Sequence, residues 1–134
     1  MDMGVSRQFM KRDKFAQFCG IELVEVGPGR AVTRMAVRPE HLNGVGLVHG
    51  GAIFTLADYA FAAACNTYGT VTVAINVSIS FMNAARSGVL TAVCEDVVKN
   101  PKLGTYRATV TDQDGAVIAT FDGLAYRKKD ELPI

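Results

Sequence analysis

The sequence predicts an α+β domain in which a curved antiparallel sheet wraps around one long central helix. Three observations carry that prediction. The stretch "HGGAIFTLADYAFAAAC", residues 49–65, reads as a helix with almost no polar side, and a helix apolar all round has to be buried all round. From Thr70 onward the chain changes to long segments rich in β-branched residues. The turns between the last of these are short, which makes the neighbouring strands antiparallel. With 134 residues, 49% of them hydrophobic, the whole chain, 1–134, is expected to be a single domain with a substantial core.

The elements follow in order. Residues 6–18 predict an amphipathic helix, capped by Ser6 and ended by Gly20, with Phe9, Met10, Phe15 and Phe18 on its apolar side. "IELVEV", the turn "GPG" and "RAVTRMAV" predict a β-hairpin. "RPEHLNGVGLV" is a glycine-punctuated loop that leads into the long helix. "TVTVAINVSISF" is a long strand broken by "NAARSG". "VLTAVCEDVV" and "TYRATVT" are strands joined by "KNPKLG", and "DQDG" is a tight turn before the last strand, "AVIATFDGLAYR". Residues 1–5 and the tail 128–134, "KKDELPI", read as frayed termini.

Composition excludes several functions. A formal net charge of +1 gives a nucleic-acid partner no global electrostatic support. Cys19, Cys65 and Cys94 are odd in number and far apart, so neither disulfides nor a zinc ribbon is expected; buried free thiols in a reducing cytoplasm are. The N-terminus carries charges where a signal peptide would be apolar, and the one long apolar helix has a central Asp, so a soluble protein with no membrane partner is expected. "GVGLVHGG" lacks the third glycine and the preceding strand of a dinucleotide site. No phosphate-binding GxxxxGK[ST], no GxSxG and no HExxH occurs, and His41 and His49 are the only histidines, so no metal is expected.

Asp58 is the anomaly of the long helix. Its neighbours three and four positions away are apolar except Thr55, and a buried carboxylate without partners is costly. It is either paired structurally or held for chemistry. At the helix start, Gly50 and Gly51 let a ligand approach free amides at the positive end of the helix dipole; the same glycines would also serve a tight turn. Gly51 and Asp58 share a helix face but lie about 10.5 Å apart along the axis. One chain does not bring its own Asp58 to a group held at its own helix start. Two chains with antiparallel helices do, which predicts an obligate homodimer with two composite sites.

"HLNGVGLVHGGAIFTLADYAFAAACN" resembles the hotdog-fold acyl-CoA thioesterases, in particular the PaaI-like (phenylacetyl-CoA thioesterase type) branch. The carriers are Asn43, His49-Gly50-Gly51 and Asp58, and the likeness runs through "INVSISFMNAARSGVLTA" and the last two strands. The resemblance implies a sheet wrapped around the helix, a dimer that pairs into tetramers, and cleavage of an acyl-CoA by water with no metal or other cofactor. It implies that the Gly50 amide polarises the thioester carbonyl and that the partner's Asp58 acts as general base or nucleophile. Asn43 would position water or the carboxylate; His49 would orient the loop or assist near the thioester. Coenzyme A would run beside Gly51 and Phe81, Met82, Asn83, Ala84, Ala85 and Arg86, with Lys99, Asn100, Lys102 and Arg127 as further contacts. Leu56, Tyr59 and Phe61 are candidates for the acyl pocket, or plain core.

The sequence departs from related sequences twice. "FMNAARSG" lacks a proline common after the aromatic residue of the long strand, and Ala74 stands where some relatives carry a hydroxyl. Two other readings compete. An enoyl-thioester hydratase would pair the carboxylate with a histidine four or five positions on, where Ala62 and Ala63 stand. A non-catalytic acyl-CoA-binding module would have no reason to bury an unpaired charge.

Overall fold

The computed structural model describes residues 3–133. The elements are α1 (Met3–Met10), α2 (Lys14–Phe18), β1 (Ile21–Gly27), β2 (Arg30–Ala36), a 3₁₀ turn (Pro39–His41), α3 (Gly50–Cys65), β3 (Thr70–Phe81), β4 (Val89–Lys99), β5 (Leu103–Thr111) and β6 (Val117–Glu131). The six strands form one antiparallel sheet in the order β1-β2-β4-β5-β6-β3. α3 packs against all six strands. Six strands spaced by about 4.8 Å span about 24 Å, and a helix with its side chains is only about 10–12 Å wide. The sheet must therefore curve around α3, which is the expected hotdog arrangement.

Short turns fix most of the order. Gly29 closes the β1–β2 hairpin at φ +66°, a conformation that side chains resist, and a Cβ there would sit 2.2 Å from the Asp96 carboxylate. Asp112 Oδ1 accepts the Asp114 and Ala116 N–H groups, both at 2.9 Å, and so closes the β5–β6 turn. β3 does not pair with its successor β4. It crosses to the far side of the sheet, pairs only with β6, and leaves its other edge open among the described residues.

The core lies between α3 and the sheet. Leu56, Phe61, Leu90, Tyr106, Val110, Ile118 and Phe121 are fully buried. The Phe61 ring meets Tyr106 and Phe121, each at 5.5 Å between centroids. It also lies directly on the backbone of Gly123, where a Cβ would come within 2.7 Å of Phe61 Cζ. Cys65 and Cys94 are buried free thiols, and burial pushes the Cys65 thiol up to about 12. Cys19 is only half-buried, short of the burial expected for all three.

Both termini correct the sequence reading. The N-terminal helix breaks at residues 11–13 into α1 and α2, because Asp13 caps α2 by accepting the Ala16 N–H at 2.9 Å. Ser6 is no cap: it is buried inside α1 and donates to the Asn66 carbonyl at 2.8 Å. At the other end, Lys128 to Glu131 continue β6 rather than fray, and Leu132 is buried. Of the terminal segments expected to fray, residues 1, 2 and 134 lie outside the described residues.

Candidate active site

The loop before α3 is built by its own side chains. Asn43 Oδ1 accepts the N–H groups of Val45 at 3.0 Å and Leu47 at 3.1 Å. That commits Oδ1 to the loop and leaves the Asn43 Nδ2 donors unbonded among the described residues. The Val48 N–H donates to the Ala85 carbonyl at 2.8 Å, and the His49 N–H to the His41 carbonyl at 2.7 Å. His41 is itself buried and doubly bonded. Its Nδ1 accepts the Arg38 N–H at 2.9 Å and its Nε2 lies 2.8 Å from the Cys19 carbonyl, an acceptor that calls for the Nε2 proton.

His49 caps α3. Its Nδ1 accepts the Gly51 N–H at 2.8 Å, and its carbonyl accepts those of Ala52 at 2.9 Å and Ile53 at 3.2 Å. A helix start leaves four N–H groups without helical partners. Here they are those of His49, Gly50, Gly51 and Ala52, and three are taken, the His49 N–H by the His41 carbonyl. Among the described residues, only the Gly50 N–H is left open at this helix start, at the positive end of the dipole.

That amide borders a cavity of about 370 Å³ lined by Asn43, Gly50, Phe81, Met82, Asn83, Ala84 and Ala85. The structure thus gathers two of the four expected catalytic residues and most of the expected coenzyme A segment around one space. Asn83 uses its amide to hold the loop, donating to the Val117 carbonyl at 2.7 Å. Arg86 follows Ala85 and is exposed. His49 and Gly51 face the other side of the helix start, where a second cavity of about 470 Å³ lies.

Asp58 borders neither cavity. The helix is not buried all round, contrary to the expectation from its composition. Gly51, Thr55, Asp58 and Ala62 form a stripe at helical spacing that the sheet leaves uncovered. Thr55 satisfies itself within the helix, donating to the Gly51 carbonyl at 2.7 Å. Asp58 is half-buried and has no hydrogen-bond or ion-pair partner among the described residues. Burial, and secondarily the charge of Asp13, raises its pKa above the ordinary 3.8. It stands eight positions along the helix from Gly50, about 12 Å along the axis.

The remaining expected contacts lie elsewhere. Thr72 pairs with Arg127 and Phe81 with Ala119, so Arg127 and the Phe81 loop sit at opposite ends of β3, about 30 Å apart at 3.3 Å per residue. The Arg127 guanidinium donates to the carbonyls of Asn100 at 2.8 Å and Pro101 at 3.0 Å. Asn100 Oδ1 accepts the N–H groups of Lys102 at 3.0 Å and Leu103 at 2.8 Å. The Lys99 ammonium stands 3.7 Å above the Tyr68 ring. Within one chain these four residues brace the β4–β5 turn and do not meet the Phe81 loop.

Leu56, Tyr59 and Phe61 are core, not acyl pocket: all three are buried, and the Tyr59 hydroxyl donates to the Met10 carbonyl at 3.0 Å. The residues that border the second cavity, Phe15 and Phe18, were assigned by sequence only to an apolar helix face. In a single helix over residues 6–18 nothing set these two rings apart from Phe9 and Met10; the break before α2 is what leaves them exposed.

Comparison with known proteins decides the family. Residues 45–119 match the thioesterase superfamily model. The chain belongs to the thioesterase superfamily. Within this thioesterase family, Acyl-coenzyme A thioesterase PaaI of Escherichia coli is 35% identical over 118 residues, 87% of this chain and 84% of its own. A protein of Archaeoglobus fulgidus is 39% identical over 124 residues, 92% of this chain and 80% of its own. The solved structure of the E. coli PaaI protein from the phenylacetic acid degradation operon superposes with a TM-score of 0.92 at 31% identity, covering 98% of this chain and 99% of that one. The chain is a thioester hydrolase with the hotdog fold that its sequence predicted.

Proposed function

We infer that this thioesterase hydrolyses a small aromatic or medium-chain acyl-CoA to the free acid and coenzyme A, with no metal or other cofactor, as a soluble cytoplasmic enzyme. One observation carries the mechanism: the unbonded Gly50 N–H and the unpartnered Asp58 lie on one helix about 12 Å apart. The Gly50 amide, backed by the helix dipole, polarises the thioester carbonyl and holds the oxyanion that develops. Asp58 of a second chain supplies the carboxylate, either deprotonating water or attacking the carbonyl carbon. The Asn43 amide donors, fixed by the loop bonds to Oδ1, orient the water or that carboxylate. His49 fixes the helix start through Gly51.

The same geometry supports a dimer. The uncovered Gly51–Thr55–Asp58–Ala62 stripe and the open edge of β3, with Val73 and Ile75 exposed, are the surfaces that a second copy would cover, and pairs of dimers complete a tetramer. In an antiparallel pairing of two β3 strands, the partner's Lys99, Lys102 and Arg127 end approaches the Phe81–Arg86 loop, where the phosphates of coenzyme A lie.

The test is thiol release from a panel of acyl-CoAs, followed beside Asp58→Asn and Asp58→Ala. Release by the unaltered chain and its loss in both variants is expected. Release that survives both substitutions removes Asp58 from the mechanism; coenzyme A binding with no release from any thioester turns the reading to a binding module.

A further inference from the structure

The two cavities lie on either side of the α3 start, one bordered by Gly50 and the other by His49 and Gly51. A thioester whose carbonyl bonds the Gly50 N–H has two limbs that diverge from that point. The cavity beside Phe81–Ala85 ends next in sequence to the exposed Arg86, a direction suited to the long polar carrier. The other, of about 470 Å³, is bordered by Phe15, Phe18, Gly51, Ala52 and Thr55, and its size is that of a small-ligand site. Gly51 and Thr55 belong to the Asp58 stripe, so this cavity opens onto the same face as the carboxylate.

Its wall is unusual for a surface. Phe15 and Phe18 are 61% and 78% exposed, yet their rings stack at 6.5 Å and 24°. The backbone that carries them is held in place. The C-terminal carbonyls of α2 are taken by the loop that leads to the site: Phe18 O accepts from Arg38 Nη2 at 2.8 Å, and Cys19 O from His41 Nε2 at 2.8 Å. His41 in turn accepts the His49 N–H on its carbonyl. The end of α2 that carries the rings is thus tied through the His41 side chain to the residue that caps α3, and through the Arg38 side chain to the same loop.

We propose that Phe15 and Phe18 are specificity-determining residues that form the wall of the acyl subsite and select acyl groups ending in a planar ring over straight alkyl chains. This rests on the thioesterase reading above. A flat pair of rings offers a flat ligand a stacking face that an alkyl chain cannot use fully. His41 and Arg38 are positioning residues for that wall.

The test compares the unaltered chain with the Phe15→Ala/Phe18→Ala double variant. The probes are two non-hydrolysable thioether analogues of coenzyme A, one with a phenyl-terminated and one with a butyl acyl limb, titrated by calorimetry, with phenylacetyl-CoA and butyryl-CoA hydrolysis run in parallel. The unaltered chain is expected to bind the phenyl analogue more tightly. The double variant is expected to lose about tenfold for the phenyl probe, two ring contacts' worth, and less than twofold for the butyl probe. Equal loss for both probes, no loss for either, or an unaltered chain that does not prefer the ring overturns the proposal. So does a double variant whose sedimentation shows dissociation, which makes the rings a contact between copies. Selective loss of phenyl binding without thiol release by the unaltered chain upholds the wall and defeats the thioesterase reading. Thiol release with unchanged ring preference does the reverse.

Discussion

The Gly51 N–H donates to His49 Nδ1 at 2.8 Å, and this bond determines which amide of the helix start stays open. With Ala52 and Ile53 bonded to the His49 carbonyl, Gly50 alone remains for a ligand. His49→Ala removes the cap and is expected to cost about 1 kcal/mol of stability and to lower activity, since Gly51 then competes for the same oxyanion. His49→Asn keeps an N-cap acceptor. It is expected to restore the thermal midpoint and most of kcat/KM if His49 acts only through Gly51. Equal loss of kcat in both variants, with the midpoint restored in His49→Asn, would give His49 a chemical role.

Gly50→Ala tests the open amide by crowding it. A Cβ at Gly50 would meet Phe81 Cζ at 3.2 Å. The backbone there is helical and the ring is half exposed, so the fold adjusts with a small shift of the ring. The shift occurs inside the Asn43–Gly50–Phe81 cavity. Thermal stability is expected to change by less than about 1 kcal/mol, while kcat/KM falls at least about tenfold from a misplacement near the oxyanion donor. An activity unchanged by Gly50→Ala would remove this amide from the carbonyl site.

The raised pKa of Asp58 has two consequences of defined sign. Its causes are burial first and the charge of Asp13 second. As base or nucleophile Asp58 must be ionised, so the acid limb of kcat/KM is expected to titrate above the ordinary 3.8. Asp13→Asn keeps the α2 cap and removes the charge, so it moves that limb to lower pH. For stability, a folded pKa above the unfolded one means the native state binds the proton more tightly. The ionised form then destabilises the fold above the folded pKa, and the effect vanishes below the unfolded value. Asp58→Asn is therefore expected to melt higher than the unaltered chain at neutral pH and equally below the ordinary value, while losing about 10²–10⁴ in rate. A pH-independent difference in melting would assign the effect to packing instead.

Much of this was legible in the sequence because two periods were strong. The apolar run from Ile53 to Cys65 and the alternating strands set helix and sheet, and Asn43, Gly50 and Phe81–Ala85 meet as the motif suggested. What failed were choices that depend on tertiary neighbours. Asp13 interrupts a helix whose hydrophobic spacing runs on, because a local cap outweighs periodicity. β3 pairs with β6 rather than β4, a pairing no local turn encodes. Leu56 and Phe61 face the sheet while Thr55 and Asp58 do not, and in a helix apolar on most sides the moment is too weak to show which face stays open. That Lys99 and Arg127 brace the Tyr68 ring and the Asn100 carbonyl, far from the Phe81 loop of their own chain, is likewise a relationship that appears only in three dimensions.

Phe61 and Gly123 form a coupled pair in the core. Phe61→Ala is expected to cost about 3–5 kcal/mol through lost burial and a cavity. Gly123→Ala drives a methyl to within 2.7 Å of the Phe61 ring, which has no exposed side to move toward, and is expected to cost about 1–3 kcal/mol. In the double variant the new methyl enters the space the ring left. Its cost should fall below the sum of the two single costs by about 1 kcal/mol or more, measured by denaturant unfolding in a double-mutant cycle. Additive costs would mean that the ring and the Gly123 backbone do not touch.

The composite site is tested by mixing two inactive chains. Asp58→Asn keeps an intact Gly50 amide, and Gly50→Val blocks that amide while keeping Asp58. In a composite dimer each site takes its amide from one chain and its carboxylate from the other. A mixed dimer therefore holds one site with both defects and one with neither. If equal amounts are unfolded and refolded together, half of the dimers are mixed and half of their sites are whole, so about a quarter of the unaltered activity is expected to return. Sites built within one chain would carry one defect each in every assembly, and mixing would restore nothing. The recovered activity should also fall on dilution with the dissociation of the dimer, which sedimentation at the same concentrations measures. Recovered activity that falls while sedimentation still shows an intact dimer would overturn the link between the two, since a composite site persists as long as the dimer does.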